Sequence, residues 1–262
     1  MNFQQIFFNN LYKLEKDNAP SVGSFVWNHL KIPNGVKSIL DVGCWRGDFL
    51  NSLPDSYEKT GVDTCEEPLK NVKARTIACS VENLPFDSKN FDLVTCFEVI
   101  EHLPQAIYVK ALNEVERVSR KYIAVSVPNR QMLKQAFVKC QYCGCLFNPD
   151  YHLRAFNDDI LKKLFKNFTL ESCIECGPII SDYPSIVNFL VPLIGVKPKP
   201  NTICPQCGFS EGEIMYEKTH NYPAKNSVSN GLYTNIFSKV KSAIRQNHRP
   251  YCLLAFYRRN KN

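Results

Sequence analysis

Apolar residues recur with two different periods along this chain, and the two periods alternate. Residues 105–119 and about 157–166 show the helical spacing, whereas shorter apolar runs bounded by Gly, Pro, Asn or Asp indicate strands. The predicted strands are 37–42, 59–63, 75–79, 91–96, 121–127, 168–175 and 252–258. Such alternation predicts an α/β fold with a doubly wound, mostly parallel seven-stranded sheet.

Two stretches fall outside this alternation. Residues 1–36 carry helical patterns interrupted at Pro20, and we expect them to form an N-terminal helical cap. Residues 177–250 are rich in Pro, Asn and Lys, and we expect an insertion there. The α/β domain itself is then predicted to comprise residues 37–176, with 251–262 returning as its last strand.

The first predicted strand leads into a loop that allows close approach of a ligand. The run from Ser38 to Asp48 predicts a strand, a tight turn and a helix, with Gly43 and Gly47 in the turn. Glycine permits backbone conformations and close contacts that a Cβ would prevent. The loop has neither the Gly-x-Gly-x-x-Gly pattern nor the Gly-Lys-Ser/Thr pattern of phosphate-binding loops. Asp63 ends the next strand, where a carboxylate can accept both ribose hydroxyls, so these residues predict a nucleotide-like ligand held without a phosphate clamp.

Four motifs, in this order, resemble those of the class I S-adenosylmethionine-dependent methyltransferases. They are Asp41–Gly47, Asp63, Glu82–Phe86 and Phe91–Leu103, and they lie within residues 36–130. The resemblance implies the class I α/β fold, S-adenosylmethionine as the cofactor and methyl transfer as the activity. The alternative is a nucleotide-free α/β domain that uses its glycines only for turns.

The resemblance also implies roles for individual residues. Asp41 would orient the glycine loop or the amino group of the cofactor, Asp63 would hold the ribose, and Glu82 would lie near the adenine. Ser80 stands where the family often has an Asp that meets the adenine amino group. The cofactor-binding residues predicted in this way are Asp41, Gly43, Cys44, Gly47, Asp63, Ser80, Val81, Glu82, Phe97 and Glu98.

Two histidines are predicted to lie on the acceptor side. His102 follows the fourth strand, and His152 belongs to the segment Tyr151–Phe156, which resembles a His-x-Arg-x-Phe run that borders the acceptor site in many of these enzymes. A hydroxyl acceptor must lose a proton, so we predict His102 and His152 as the catalytic residues. Packing or helix capping is the alternative role for each of them.

A divalent cation would supply a different chemistry at the same place. Glu98, Glu101, His102 and His152 offer two carboxylates and two imidazoles, a ligand set that suits Mg²⁺, Mn²⁺ or Fe²⁺. The run resembles one with which small-RNA 2′-O-methyltransferases, and in part quinone-biosynthesis O-methyltransferases, bind a metal that activates the acceptor hydroxyl. The same run also occurs in methyltransferases without such a metal, so both alternatives remain.

The twelve cysteines include three Cys-x-x-Cys-Gly units. In a reducing compartment such pairs indicate metal ligation rather than disulfides. Cys173 and Cys176 fall in a predicted strand, where a separation of three sends side chains to opposite faces, and Cys145 is a substitute ligand. The predicted ligands of a structural zinc ion are therefore Cys140, Cys143, Cys204 and Cys207.

Composition changes this picture little. The 262 residues, 44% of them apolar, suit one large domain with an insertion, and the net charge of +7 allows a nucleic-acid partner without requiring one. Because the sequence has no basic leader and no apolar run of spanning length, we expect a cytoplasmic protein without a transmembrane segment. Composition leaves the oligomeric state undetermined.

Three functions are consistent with these features. The first is methyl transfer to a small-molecule acceptor, above all a hydroxyl of a sugar or related metabolite. The second is a 2′-O-type RNA methyltransferase, although the basic region lacks an obvious series of stacking aromatics. The third is a catalytically silent, zinc-containing binding module. We expect the apolar run Ile186–Val196 either to pack on the core or to cover the acceptor as a lid, and the basic residues expected to contact RNA are Lys239, Lys241, Arg245 and Arg249.

Overall fold

The computed structural model describes residues 24–133, 137–182, 203–209 and 247–261. Within these ranges the chain forms nine strands and five helices. The strands are β1 (Ser38–Val42), β2 (Glu58–Asp63), β3 (Arg75–Ala78), β4 (Phe91–Phe97), β5 (Ser119–Pro128), β6 (Val138–Lys139), β7 (Leu146–Phe147), β8 (Phe168–Asp182) and β9 (Asn247–Arg259). The helices are α1 (Ser24–Trp27), α2 (Asp48–Ser52), α3 (Glu66–Leu69), α4 (Gln105–Val118) and α5 (Asp158–Lys162).

Seven of the strands form one sheet, in the order β3-β2-β1-β4-β5-β9-β8. The pairs among β1 to β5 are parallel, whereas β9 runs antiparallel to β5. The predicted α/β fold with a mostly parallel seven-stranded sheet is confirmed. Because β1, β2 and β4 are parallel neighbours, the loops after them meet at one edge of the sheet.

Both faces of the sheet are covered, which explains why the central strands are almost continuously apolar. All five residues of β1 are buried. Ile39 packs into the core cluster on one face, whereas Leu40 and Val42 pack into the cluster on the other, as the alternation of side chains along a strand requires. Burial on both faces is the usual condition of parallel strands.

The last two strands of the sheet extend beyond their predicted ends. β8 continues to Asp182, past Gly177 and Pro178, and β9 already begins at Asn247, before Pro250. Glycine and proline ordinarily indicate strand ends, but an edge strand such as β8 tolerates proline because its outer N–H groups need no partner in the sheet. The strand ends therefore depended on tertiary pairing that local sequence does not show.

The described residues divide into two compact units. The first contains 24–131, 152–180 and 249–261, and so holds almost the whole seven-stranded sheet. The second contains the described residues within 132–151 and 181–248, including the antiparallel β6–β7 pair. None of the helices in the described ranges has the length and hydropathy of a membrane span.

Candidate active site

The loop after β1 folds back over the end of β2. The backbone N–H groups of Gly43 and Cys44 both donate to the carbonyl of Val62, at 2.8 and 3.0 Å. Gly43 has φ 73° and Gly47 has φ 71°, in the left-handed region that favours glycine.

The space beside each glycine is filled by a valine of the same chain. A Cβ built on Gly43 would lie 2.4 Å from Val99 Cγ2, and one on Gly47 would lie 2.7 Å from Val72 Cγ1. Internal packing thus requires both glycines. Their contact with a cofactor stays a prediction.

Asp63, at the end of β2, ties this loop to the sheet. Its Oδ2 accepts from the backbone N–H of Trp45 at 3.0 Å, and its Oδ1 accepts from the N–H of Cys65 at 2.9 Å. Burial raises the pKa of Asp63, while these backbone donors oppose the rise. A carboxylate offers about four acceptor positions, so Asp63 can bind the loop and still receive a hydroxyl donor.

Asp41 is a buried carboxyl within β1. Its Oδ1 accepts from the hydroxyl of Thr95 on β4 at 2.6 Å. Burial raises the pKa of Asp41 to about 7, the Thr95 hydrogen bond opposes the rise, and the neighbouring Asp63 adds to it. A cationic ligand beside Asp41 and Asp63 would stabilise the ionised form of Asp41.

The segment after β3 contains the other residues assigned to the adenine side. Val81 is buried in the main core, and Ser80 accepts the N–H of Asn83 through its carbonyl at 3.1 Å. The Glu82 carboxylate pairs with the ammonium of Lys110 on α4 at 3.1 Å. The side chain of Glu82 therefore has a partner within the chain, and its place near an adenine stays a prediction.

Phe97 is the last residue of β4, and Glu98 follows it. Phe97 packs edge-on against Phe49 with ring centroids 5.2 Å apart. Glu98 has φ 54°, and its Oε1 accepts from the hydroxyl of Ser126 at 2.9 Å and from the thiol of Cys252 at 3.2 Å. Burial raises the pKa of Glu98. Its carboxylate thus contacts side chains of β5 and β9.

The two predicted catalytic histidines lie side by side. The rings of His102 and His152 meet edge-on with centroids 4.7 Å apart, although fifty positions separate them in the sequence. Nδ1 of His152 is 2.5 Å from Oε1 of Gln131. An imidazole whose Nδ1 donates to that oxygen carries an unprotonated Nε2, which has the chemistry of a base or a metal ligand.

Glu101 completes a cluster with these histidines. One potential ligand atom from each of Glu101, His102 and His152 lies within 4.8 Å of the others. The Glu101 side chain is fully buried, neither of its oxygens has a hydrogen-bond partner among the described residues, and burial raises its pKa well above the ordinary value. Glu98 is not among these three residues, and its part in a four-ligand set stays a prediction. The positive φ of Glu98 accompanies a carboxylate that bonds Ser126 and Cys252 instead.

The four cysteines predicted as zinc ligands also converge. Sγ of Cys140 is 3.6 Å from Sγ of Cys207, and Sγ of Cys143 is 3.6 Å from Sγ of Cys204. All four sulfur atoms lie within 4.8 Å of one another. Tetrahedral zinc with Zn–S bonds of about 2.3 Å places its sulfur atoms about 3.8 Å apart, so the ligand set fits the ion.

Each cysteine pair is built as the same turn. The N–H of Cys140 donates to the carbonyl of Cys145, and the N–H of Cys204 donates to that of Phe209, both at 2.8 Å. The glycine that follows each pair, Gly144 or Gly208, has a positive φ. Both turns have the same hydrogen-bond pattern and bring their sulfur atoms into one cluster, as a four-thiolate site requires.

The remaining cysteines lie elsewhere. Cys173 packs against the main core, whereas Cys176 belongs to a different cluster with Cys252, as expected for residues on opposite faces of β8. Cys145 is outside the four-sulfur group. The other five cysteines are buried, except for the partly exposed Cys79; they are Cys44, Cys65, Cys79, Cys96 and Cys252.

Several residues that shape the site were not predicted. Thr95 holds Asp41, Ser126 holds Glu98, and Gln131 contacts His152. Thr95 and Ser126 lie on strands, where their position opposite a carboxylate depends on sheet register. Of these three residues, only Gln131 could have been found from the sequence, because it follows β5 at the edge of the sheet where the predicted site residues lie.

The predicted lid and most of the basic residues lie outside the described ranges. These are Ile186–Val196, Lys239, Lys241 and Arg245. Arg249 is described, and its guanidinium donates to the carbonyl of Asn129.

Comparison with known proteins identifies the central part of the chain. Residues 40–122 match the family model of a methyltransferase domain. An uncharacterised protein of Methanocaldococcus jannaschii is 31% identical over 149 residues, which are 54% of this chain and 63% of that relative. The ubiquinone biosynthesis O-methyltransferase of Haemophilus ducreyi is 29% identical over 131 residues, which are 38% of this chain and 56% of that enzyme. The chain thus spans less than two thirds of the length of either relative.

A solved structure shares the fold of this chain. A chain from the complex between the Haloferax volcanii Trm112 methyltransferase activator and a methyltransferase matches with a TM-score of 0.55, over 100% of this chain and 97% of that chain, at 12% identity. At this identity the likeness shows the fold alone. It agrees with the class I methyltransferase-like α/β fold implied by the sequence motifs.

Proposed function

We propose that the protein transfers a methyl group from S-adenosylmethionine to a hydroxyl of a small molecule, above all a sugar or related metabolite. The observation that carries the proposal is the loop of the methyltransferase domain in which Asp63 holds the backbone of Trp45, beside the buried carboxyl of Asp41. The relatives named as O-methyltransferases support a hydroxyl acceptor.

The carboxylates at the edge of the sheet suit a cationic nucleoside. Asp63 would accept the ribose hydroxyls, and Asp41 would stabilise the positive charge of the cofactor electrostatically. Bound there, the cofactor supplies an activated methyl group for in-line displacement. Most of the rate enhancement would then come from holding the acceptor oxygen in line with that group.

The histidine pair would manage the acceptor proton. His152, with Nδ1 directed to Gln131, would present Nε2 as the base, and His102 stands next to it. Transfer to a hydroxyl leaves one proton to be removed, and either imidazole can take it. We assign both as catalytic residues for this reason.

Calorimetry with S-adenosylhomocysteine tests the cofactor site. We expect the wild-type protein to bind it and Asp63→Ala to bind at least about tenfold more weakly, because hydrogen bonds to a charged acceptor contribute roughly 1.5–3 kcal/mol each. Thr64→Ala, at the exposed neighbouring position, is the control and should bind normally. Absence of binding at millimolar concentration would instead favour a catalytically silent binding module.

Incubation with methyl-labelled cofactor tests the acceptor class. Sugar and phenol hydroxyls, amines and transfer RNA would be offered separately, and label should enter a hydroxyl compound. Label found only in RNA would favour the second candidate, a 2′-O-type RNA methyltransferase. Arg249, the described member of the predicted RNA-binding residues, donates to a carbonyl of its own chain and gives that candidate no support.

Metal assistance is a second candidate mechanism for the same transfer, and Glu101 favours it. A fully buried carboxylate with no hydrogen-bond partner among the described residues, next to two imidazoles, is the arrangement that a divalent cation such as Mn²⁺ or Mg²⁺ would satisfy. The cation would supply Lewis-acid activation of the acceptor hydroxyl. Turnover abolished by a chelator and restored by Mn²⁺ supports this route, whereas unchanged turnover in the chelator supports the imidazole base.

We further infer a structural zinc ion at Cys140, Cys143, Cys204 and Cys207. Four thiolates close the coordination shell, so the ion would order the second unit and would not take part in the reaction. Elemental analysis should find about one zinc per chain. Cys140→Ser should lose the ion, and Cys173→Ser, in the cysteine pair outside the cluster, should retain it. Zinc-free wild-type protein purified without chelators would refute the inference.

A further inference from the structure

Two segments that are distant in sequence meet at the histidine pair. The N–H of Leu153 donates to the carbonyl of Glu101 at 2.8 Å, which places the segment after His152 along the one that contains His102. A single backbone hydrogen bond between two loop segments contributes only about 1 kcal/mol. A further contact is needed to fix the spacing of side chains that must cooperate within a few ångströms.

Arg154 supplies such a contact. Its Nη1 donates to the carbonyl of Ile100 at 2.6 Å, and that carbonyl belongs to the peptide that leads into Glu101. The guanidinium also lies over the ring of Tyr108, 3.9 Å from its centroid, and Nη2 is 3.4 Å from Oε1 of Gln105. Gln105 and Tyr108 stand one turn apart at the start of α4, so one side chain joins three elements of the first unit.

The charge of Arg154 also acts on the cluster. Burial raises the pKa of the Glu101 carboxyl, and the positive charge of Arg154 is among the influences that lower it. No ion pair within 4 Å joins Arg154 to Glu101 among the described residues, so the influence is exerted at a distance while the hydrogen bonds go to Ile100 and Gln105. Arg154 is thus in the vicinity of the proposed reacting groups without being one of them.

We propose that Arg154 is a positioning residue that clamps the Ile100–Glu101 peptide to the His152 segment and to the start of α4. The clamp sets the spacing among Glu101, His102 and His152. The proposal rests on the proposed function only in assigning a catalytic role to the cluster of Glu101, His102 and His152. The same spacing is needed whether the two imidazoles act as bases or the three residues bind a metal ion.

Lysine cannot replace the clamp. A planar guanidinium donates in two directions and stacks on an aromatic ring at the same time, whereas an ammonium is a compact, strongly hydrated charge. Arg154→Lys therefore keeps the charge and loses the geometry. Arg154→Gln removes both, so the two variants separate the electrostatic influence from the clamp.

Carbethoxylation of histidine by diethyl pyrocarbonate, followed by peptide mass spectrometry, measures the clamp directly. In the wild-type protein His152 is buried and should react slowly, while the exposed His29 serves as an internal reference. We expect both Arg154 variants to raise the rate at His152 by about tenfold relative to His29, as the loss of a charged hydrogen bond implies.

Arg258→Lys is the matched control. Arg258 also lies over a tyrosine ring, that of Tyr122, and pairs with Glu171, but it stands at the other end of β5 and β9. It should leave the rate at His152 unchanged. If Arg154→Gln leaves that rate within twofold of wild type while Arg258→Lys does the same, the clamp is refuted.

Binding and turnover separate a failed clamp from a failed function. The Arg154 variants should retain the wild-type affinity for S-adenosylhomocysteine, since Arg154 touches none of the proposed cofactor residues. With an acceptor in hand, they should lower kcat/KM for the acceptor without changing KM for the cofactor. Wild-type protein that binds no S-adenosylhomocysteine would refute the proposed function and leave the carbethoxylation result valid. Equal losses of cofactor and acceptor binding in the variants would show a general structural role and refute the clamp.

Discussion

Replacing Gly43 with alanine should destabilise the protein for two reasons that can be separated. The residue has φ 73°, and an L-residue in the left-handed region costs about 1–2 kcal/mol. The new Cβ would also stand 2.4 Å from Cγ2 and 3.3 Å from Cγ1 of Val99, and crowding of this kind costs about 1–3 kcal/mol. The free energy of unfolding should therefore fall by about 2–5 kcal/mol.

Gly35→Ala isolates the backbone contribution. Gly35 has φ 83°, but nothing lies within 4 Å of the Cβ that it lacks. Gly35→Ala should therefore cost only the roughly 1–2 kcal/mol of the left-handed backbone conformation. The free energies of unfolding of the two variants should then differ by about 1–3 kcal/mol. Val99→Ala combined with Gly43→Ala should recover part of that difference, because the methyl groups that obstruct the new Cβ are gone.

Urea unfolding of the single and double variants, monitored by circular dichroism, measures these differences. The prediction assumes that Val99 is held against the loop. Equal stability of Gly43→Ala and Gly35→Ala would show that Val99 moves aside without cost. A double variant whose losses simply add would lead to the same conclusion, and the packing reason for Gly43 would then be wrong.

Three further outcomes follow from buried carboxyl groups. Burial raises the pKa of Asp41 to about 7, and a cationic cofactor favours its ionised form. The affinity for S-adenosylmethionine should therefore rise with pH through about 7. Calorimetry should find this pH dependence weaker in Asp41→Asn. Thr95→Val removes the hydrogen bond that opposes this rise in pKa, so the same transition should move to higher pH. The pKa of Glu101 is raised in the folded protein, so its contribution to stability is present below its unfolded pKa and is lost as the pH rises. In the presence of a chelator, the urea midpoint of the wild type should therefore decline more from pH 5 to pH 8 than that of Glu101→Gln. If the urea midpoints of the wild type and of Glu101→Gln decline equally between pH 5 and pH 8, this reasoning is contradicted.

Periodicity was sufficient for the central sheet because burial on both faces leaves a strong local signal. The strands β1, β2 and β4 and helix α4 lie within a residue or two of their predicted bounds. The ends of β8 and β9 were missed because Gly177, Pro178 and Pro250 locally indicate interruption, whereas pairing at the edge of the sheet continues past them. Local composition cannot report on a neighbouring strand.

The candidate site shows the same division. Strand ends bring Asp41, Gly43 and Asp63 to one edge, which the order of parallel strands already implied. Glu98 and Glu101 were grouped by spacing, but the Glu98 carboxylate accepts from Ser126 and Cys252, and nothing in that local run of residues signals those partners. The cysteine pairs were separable because strand alternation excluded Cys173 and Cys176.

The position of β9 between β5 and β8 has a consequence for synthesis on the ribosome. Residues 129–246 must be translated after β5 before β9 emerges, which at 5–20 residues per second takes roughly ten seconds. During that interval β5, most of whose residues are apolar and finally buried, presents an unpaired hydrogen-bonding edge in the nascent chain. An open edge of this kind is a template for pairing with another extended chain, so β5 is exposed to such pairing until the C-terminal strand arrives.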